Sequence, residues 1–311
     1  MSLIDVILAD SRRRLDDRQR RVSLDEVKRQ AGDAPRARVT FANALESIPF
    51  SIIAEVKARS PSGGAMAPAN VEGALEIYDA TQSVSAVSIL TDEDHFGGSL
   101  ERLRLARQRT QKPLLRKDFI VDEYQVWEAR AHGADAVLLM ADLYRDDPPK
   151  LARIFDVVRE AGMDALFELG MRTVTDPSAV VPPDAAIWGI NSRRFDTSKL
   201  QLRSRVGRLL GARRVLGFRT ELSIDANAHV GLREQIPTGK IAIAESGIHD
   251  RADLRRLFDL GYRAALIGTA FLKHGANVAS VVGTFDDEVR RMPSTGDLRP
   301  DFARVPRART A

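Results

Sequence analysis

Residues 51–64 read SIIAEVKARSPSGG, and the order of residue types in that run decides how the rest of the chain is read. Ser-Ile-Ile-Ala is β-strand composition; it then carries a glutamate, a lysine and an arginine at alternate positions before breaking at Ser, Pro and Gly. Residues two apart in a strand face the same way, so Glu55, Lys57 and Arg59 form one row at the strand's C-terminal end. Buried charge is costly unless paired. The row is therefore either an ion pair at the rim of a sheet or the working end of a site.

Working outward, the same composition recurs in VSAVSILT (84–91), PLLRKDF (113–119), DAVLLMAD (135–142), DALFELG (164–170), AAIWGINS (185–192), KIAIAESG (240–247) and AALIGTAF (264–271), which with residues 51–58 makes eight candidate strands. Amphipathic stretches such as DEYQVWEARAHG and RADLRRLFDLG lie between most of them and stop at a glycine. Two segments, EARAHGADAVLLM and RRLFDLGYRAALIG, end a helix at Gly and begin a strand three residues later. Alternating β and α elements with strands buried on both faces predict an α/β protein, a closed (β/α)8 TIM barrel rather than an open doubly wound sheet. Residues 1–50 carry helix signals, including Ser23 with Glu26 in a capping-box layout, and predict an N-terminal helical extension covering a barrel at 51–289. The connection over 193–239 is the longest and predicts an insertion.

The chain has 311 residues, 44% of them apolar, enough for a sizeable core. It contains no cysteine and five scattered histidines, which excludes disulfides and thiolate chemistry and leads us to expect no metal. No stretch approaches the ~18 apolar residues of a membrane span, and the N-terminus lacks the order of a secretory signal; no membrane partner and a cytoplasmic location are expected. The net charge of +4 resides in residues 290–311, which hold six Arg and two Asp and read as a disordered basic tail. The body is neutral, so no nucleic-acid partner is expected.

In a barrel, the strands' C-terminal ends are the face where polar side chains from different strands converge. Lys117 with Phe119, and Asn191 with Arg193, form rows there like Glu55 with Lys57, and Glu168 and Glu245 occupy equivalent places. A structural ion pair explains Glu55 and Lys57 alone, but not those two together with Lys117, Glu168, Asn191 and Glu245. The last two strands end in AESGI and IGTA, where Ser246, Gly247, Gly268 and Thr269 supply backbone N–H groups and hydroxyls for an anion. The residues point to a phosphorylated small molecule handled by lysine and glutamate acid–base chemistry.

With these motifs in place, the sequence resembles the indole-3-glycerol phosphate synthase family: IIAEVKARSPSGG, SILTDEDHFGGSLERL, PLLRKDFIVDEYQVWEARAHGADAVLLM, WGINSRRF, IAIAESGI and ALIGTAF match its strand motifs in order, over about residues 20–280. The resemblance implies closure of the pyrrole ring of 1-(2-carboxyphenylamino)-1-deoxyribulose 5-phosphate, with loss of carbon dioxide and water and no cofactor. It implies Lys117 as the acid for ring closure and Glu168 as base and electrostatic stabiliser. Glu55 and Lys57 would bind substrate and assist dehydration, with Lys57 also near the phosphate beside Ser246, Gly247, Gly268 and Thr269. Asn191, Arg193, Glu245 and Ser60 would contact substrate, and Phe96, Phe119 and Leu138 would wall the aromatic ring, although a core role explains Leu138 equally well. The partner implied is the phosphorylated substrate, with the chain a monomer or weak homo-oligomer.

Three departures stand out. After Glu168 the run LGMRTVTDPSAVVPP predicts a short or irregular fifth helix, since Pro182 and Pro183 cannot sit in a helix interior. The 193–239 connection is expected to exceed the family's length by about twenty residues or more. Gly63 and Gly64 stand where a basic residue followed by Gly is usual. Two other readings stay open: a paralogue acting on a related aryl-amino sugar phosphate, and an inactive phosphate-binding barrel.

Overall fold

The computed structural model describes residues 3–60, 64–170, 176–193, 228–273 and 275–293. Eight parallel strands close on themselves: β1 (Ser51–Val56), β2 (Val84–Leu90), β3 (Leu114–Lys117), β4 (Ala136–Met140), β5 (Asp164–Leu169), β6 (Ile187–Asn191), β7 (Ile241–Glu245) and β8 (Ala264–Ile267), with β8 hydrogen-bonded back to β1. Each falls inside its expected run. The open sheet is excluded by the parallel register between Ser51–Ala54 and Ala264–Ile267.

Among the described residues, α1 (Leu3–Arg21), α2 (Leu24–Asp33) and α3 (Phe41–Glu46) precede the barrel, and α4 (Pro68–Ala80), α5 (Glu93–Phe96), α6 (Leu100–Arg109), α7 (Glu123–Ala131), α8 (Pro148–Glu160), α9 (Ala228–Arg233), α10 (Arg251–Asp259), α11 (Thr269–Leu272) and α12 (Val278–Arg290) follow its strands. The two repeated helix-to-strand joins are made at Gly133 and Gly261, whose φ angles of 89° and 79° only glycine adopts freely. None of these helices is long and apolar enough to cross a membrane.

Strand alternation sorts the side chains. Outward residues such as Ile52, Ala54, Val137 and Leu139 pack with the helices in one large core. Inward residues Ile53, Ala86, Leu115, Ala136, Leu138, Leu166, Ile187, Ile241, Ile243, Ala264 and Leu266 fill the barrel. Phe41 and Leu45 of α3, both fully buried, join that inner cluster and close the barrel's floor. Thr40 caps α3, and the Asp164 carboxylate at the start of β5 accepts the Ala42 N–H at 2.9 Å.

The first helix lies at the other end. Ile7 packs on Phe119, with Phe96 and Met140 beside them, and Arg14 reaches the buried Asp92 at 2.9 Å. Arg18 meets Glu128 of α7 at 2.6 Å; Glu128 also holds the buried Arg116 of β3 at 2.9 Å, and Arg116 holds Asp118 at 2.9 Å. A chain of opposite charges thus ties α1 to β3 through the barrel wall. α2 packs on α7, where Lys28 sits 4.9 Å from the centre of the Trp127 ring.

Two expectations need correction, and others fall wholly or partly outside the described residues. Only half of the capping box at Ser23 forms: its hydroxyl accepts the Glu26 N–H at 3.3 Å, but the Glu26 carboxylate turns to Arg29 and Gln30. Arg59 leaves the Glu55 row, because the chain turns into a two-stranded antiparallel ribbon, Arg59–Ser60 against Gly64–Ala65, and its guanidinium donates to the carbonyls of Glu93 and Asp94. In the described part of the fifth connection there is a single 3-10 turn, Pro177–Ala179, as the prolines predict. Gly63, residues 194–227 of the long connection and residues 294–311 of the tail lie outside the described residues.

Candidate active site

The C-terminal ends of the strands surround a cavity of about 370 Å³. Its lining includes Glu55 of β1 and Lys57 just beyond it, Lys117 of β3 and Phe119 beyond it, Leu138 of β4, Glu168 of β5, Asn191 of β6 and Arg193 beyond it, Glu245 of β7 with Ser246 and Gly247 following, Gly268 and Thr269 after β8, and Phe96 of α5. Every site residue that the resemblance implies is in that wall except Ser60, whose side chain lies outside the described positions.

Charges of both signs meet at the inner end. Lys57 donates to Glu55 in a short pair, both side chains nearly buried. Lys117 donates to Glu168 at 2.9 Å and to Glu245 at 2.8 Å. Asn191 hydrogen-bonds Glu168 and accepts the Arg193 N–H at 3.1 Å. The register brings this about, placing Glu168 beside Gly189 and Asn191 beside Glu245. Two glycines make room for carboxylates: a Cβ at Gly189 would stand 2.2 Å from Glu245 Oε1, and one at Gly268 would stand 2.3 Å from Glu55 Oε1.

The surroundings set each proton affinity. Burial alone would raise the Glu55 carboxyl, but Lys57 and Lys117 outweigh it and hold it below the ordinary value. Burial likewise raises Glu168, and Lys117 again wins and lowers it. Glu245 goes the other way: burial dominates, Lys117 opposes, and the neighbouring Glu168 helps push it up to about 8. Burial depresses the Lys57 ammonium, and Arg193 and Lys117 add to that against the pull of Glu55. Desolvation would lower the half-buried Lys117, but Glu168, Glu245 and Glu55 outweigh it and raise it well above an ordinary lysine.

The rim divides by chemistry. Phe96 and Phe119 face each other at 6.3 Å between ring centres and, with Leu138 and Met140, make one apolar wall. Across from it, Ser246 and Gly247 have successive φ angles of 66° and 70°. That conformation costs serine about 1–3 kcal/mol and is the kind of strain that clusters at ligand sites. Sequence reasoning missed Asp92, Asp118, Met140 and His249, which also line the cavity. Asp92 follows the end of β2 and caps α5 through the His95 and Phe96 N–H groups; its place just past a strand's end was a signal that could have found it.

Comparison with known proteins agrees with this geometry. Solved structures of 3-hexulose-6-phosphate synthase from Salmonella typhimurium (TM-score 0.52, 12% identity, 78% of this chain and 99% of that one) and KGPDC from Streptococcus mutans (0.53, 12%, 78% and 98%) share the fold. Relatives described as indole-3-glycerol phosphate synthase are 35% identical in Lachnospira eligens, over 87% of this chain and 92% of that one, and 35% identical in a Nocardioides species, over 88% and 95%. The family model for indole-3-glycerol phosphate synthase matches residues 4–211 and 217–283. The two matched stretches leave out residues 212–216, which lie inside the long connection. With a closed barrel, a lysine set between two glutamates at its mouth and a family match along most of its length, the chain belongs to the indole-3-glycerol phosphate synthase family.

Proposed function

We propose that this chain is a carbon–carbon carboxy-lyase of tryptophan biosynthesis that closes the pyrrole ring of 1-(2-carboxyphenylamino)-1-deoxyribulose 5-phosphate to give indole-3-glycerol phosphate. The observation that carries this reading is Lys117, held by Glu168 and Glu245 at the mouth of a cavity whose other wall is aromatic. Phe96, Phe119 and Leu138 take the aminobenzoate ring. Lys57 and the turns at Ser246–Gly247 and Gly268–Thr269 take the phosphate. Asn191 and Glu245 hold the sugar hydroxyls, and Arg193, whose buried Nε has no hydrogen-bond partner among the described residues, takes the substrate carboxylate. Residues 1–50 act as a covering extension of a catalytic barrel, and a free phosphorylated metabolite suits action in the cytoplasm.

The chemistry follows from these positions. Lys117 donates a proton to the ketone oxygen as the ring carbon bearing the carboxylate attacks the carbonyl. Carbon dioxide then leaves, and the electron pair of the broken bond restores the aromatic ring. The new hydroxyl departs as water with a second proton, next to Lys57 and Glu55, and Glu168 removes a proton from the neighbouring carbon to complete the indole. The sequence has no net oxidation.

The test is fluorescence-monitored formation of indole-3-glycerol phosphate from the carboxyphenylamino-deoxyribulose phosphate, with EDTA present. Saturable turnover is expected. Tight binding without turnover would favour an inactive barrel, and neither binding nor turnover would mean a different substrate.

A further inference from the structure

Three carboxylates and three cations crowd the inner end of the cavity: Glu55, Glu168 and Glu245 with Lys57, Lys117 and Arg193. Glu55 and Lys57 satisfy each other. That leaves one ammonium, Lys117, between two carboxyl groups. Glu245 uses Oε2 for Lys117, while its buried Oε1 meets no donor among the described residues. Oε1 lies directly over Gly189, the residue that pairs in register with Glu168. It therefore points toward the Glu168 carboxyl, and the two carboxyls converge on the same Lys117 Nζ, at 2.9 and 2.8 Å. They are 2% and 1% exposed. Two ionised carboxylates brought together away from water repel each other; the approach is favourable only with a proton between them.

We propose that the resting enzyme holds one proton shared between Glu168 and Glu245, and that this pair returns a proton to Lys117 after Lys117 has protonated the ketone oxygen. The first half stands on the burial and convergence of the two carboxyls; the second rests on the reaction proposed above. An ammonium flanked by two carboxylates is a poor acid, and neutralising one flank makes it a better one. The protons balance. Lys117 gives one to the ketone oxygen and becomes an amine; Glu245 passes its proton along the 2.8 Å contact and leaves two carboxylates. The pair then takes the proton lost from the carbon beside the nitrogen and returns to its starting state. Hydroxyl departure consumes a further proton, which comes from solvent by way of Lys57, so each turnover takes up one proton as carboxylate becomes carbon dioxide. The groups facing the pair are Glu55 of β1 and Lys57 just after it, Lys117 of β3, and Asn191 of β6 with Arg193 just after it. With one shared proton the six-group cluster carries a net +1, suited to an anionic substrate. The upward displacement of Glu245 and the downward one of Glu168 place the proton mainly on Glu245.

Infrared spectroscopy of the intact, substrate-free enzyme tests the stored proton. Near neutral pH the wild type should show a protonated-carboxyl stretch that shifts in D2O and titrates away around pH 8. It should vanish in Glu245→Gln and in Glu168→Gln and persist in Glu55→Gln. Absence of the band from the wild type, or its survival in Glu245→Gln, overturns the proposal without reference to any variant's activity. Rapid-mixing kinetics tests the return step. In Glu245→Gln, a neutral amide replaces a neutral acid, so the first ring closure should keep its rate within a few-fold while steady-state turnover falls about 100-fold. Equal loss in both phases overturns that half. A missing band with intact synthesis rejects the stored proton alone, and a band without synthesis rejects the assigned reaction alone.

Discussion

Gly189→Ala is the sharpest probe of the site, because it adds one methyl to a strand interior and aims it at a single carboxylate oxygen. The new Cβ would lie 2.2 Å from Glu245 Oε1 and 3.1 Å from Leu166 Cδ1. The carboxylate must retreat ~1 Å to reach an ordinary contact distance. It is the far end of a flexible side chain, so the fold absorbs the shift; Lys117, tied to the other oxygen at 2.8 Å, does not. A misplacement of ~1 Å in catalytic geometry costs about 100-fold, or about 2.7 kcal/mol in the barrier. Steady-state fluorescence kinetics should therefore show kcat reduced about 100-fold while the unfolding midpoint moves little. Gly73→Ala in α4 is the control: its Cβ meets nothing within 4 Å, and it should gain up to ~1 kcal/mol of stability with unchanged kcat. Near-normal kcat in Gly189→Ala would show that the fixed position of Glu245 does not matter to the chemistry.

Other outcomes follow from the same geometry. Lys117→Met should lower kcat by about a thousandfold or more while product affinity, measured by fluorescence titration, stays within a few-fold; a wild-type rate would remove Lys117 from the acid role. Glu128→Ala leaves Arg116, 1% exposed, without one of its two carboxylates and should cost about 3 kcal/mol in urea unfolding; a loss under ~1 kcal/mol would show that Asp118 suffices. For pH, a carboxyl whose folded pKa is about 8 against an ordinary 4.5 binds more protons folded than unfolded between those values. Its destabilising contribution is absent below the lower value and complete above the upper one. The unfolding temperature of Glu245→Gln should thus rise relative to the wild type as pH increases from about 5 to 8.5; a constant difference across that range would contradict the raised affinity.

What the sequence could show follows from what is periodic. Strand alternation is local, so Glu55 with Lys57, Lys117 with Phe119 and Asn191 with Arg193 could be placed on the inner face at the strand ends, and the structure puts them around one cavity. Partner choice is not local. That Lys117 bridges Glu168 and Glu245 while Lys57 takes Glu55 depends on strand stagger, which no run of residues specifies. Gly189 and Gly268 read as ordinary strand and turn glycines, yet each is the hollow for a carboxylate contributed by another strand. Arg59 shows the opposite failure, since alternation predicts a row that continues past the point where the chain turns away. The link from Arg18 through Glu128 and Arg116 to Asp118 joins residues about a hundred positions apart, and nothing in either neighbourhood announces it.

The plug formed by Phe41 and Leu45 has a consequence for traffic. With the floor sealed and the barrel's interior filled by aliphatic side chains, the described residues leave the cavity at the strand ends no rear exit. Carbon dioxide, water and the indole must all depart through the mouth by which the substrate arrived. Gas released early in the cycle has to slip past an intermediate that still fills the doorway, so the order in which products emerge is set by architecture as well as by chemistry.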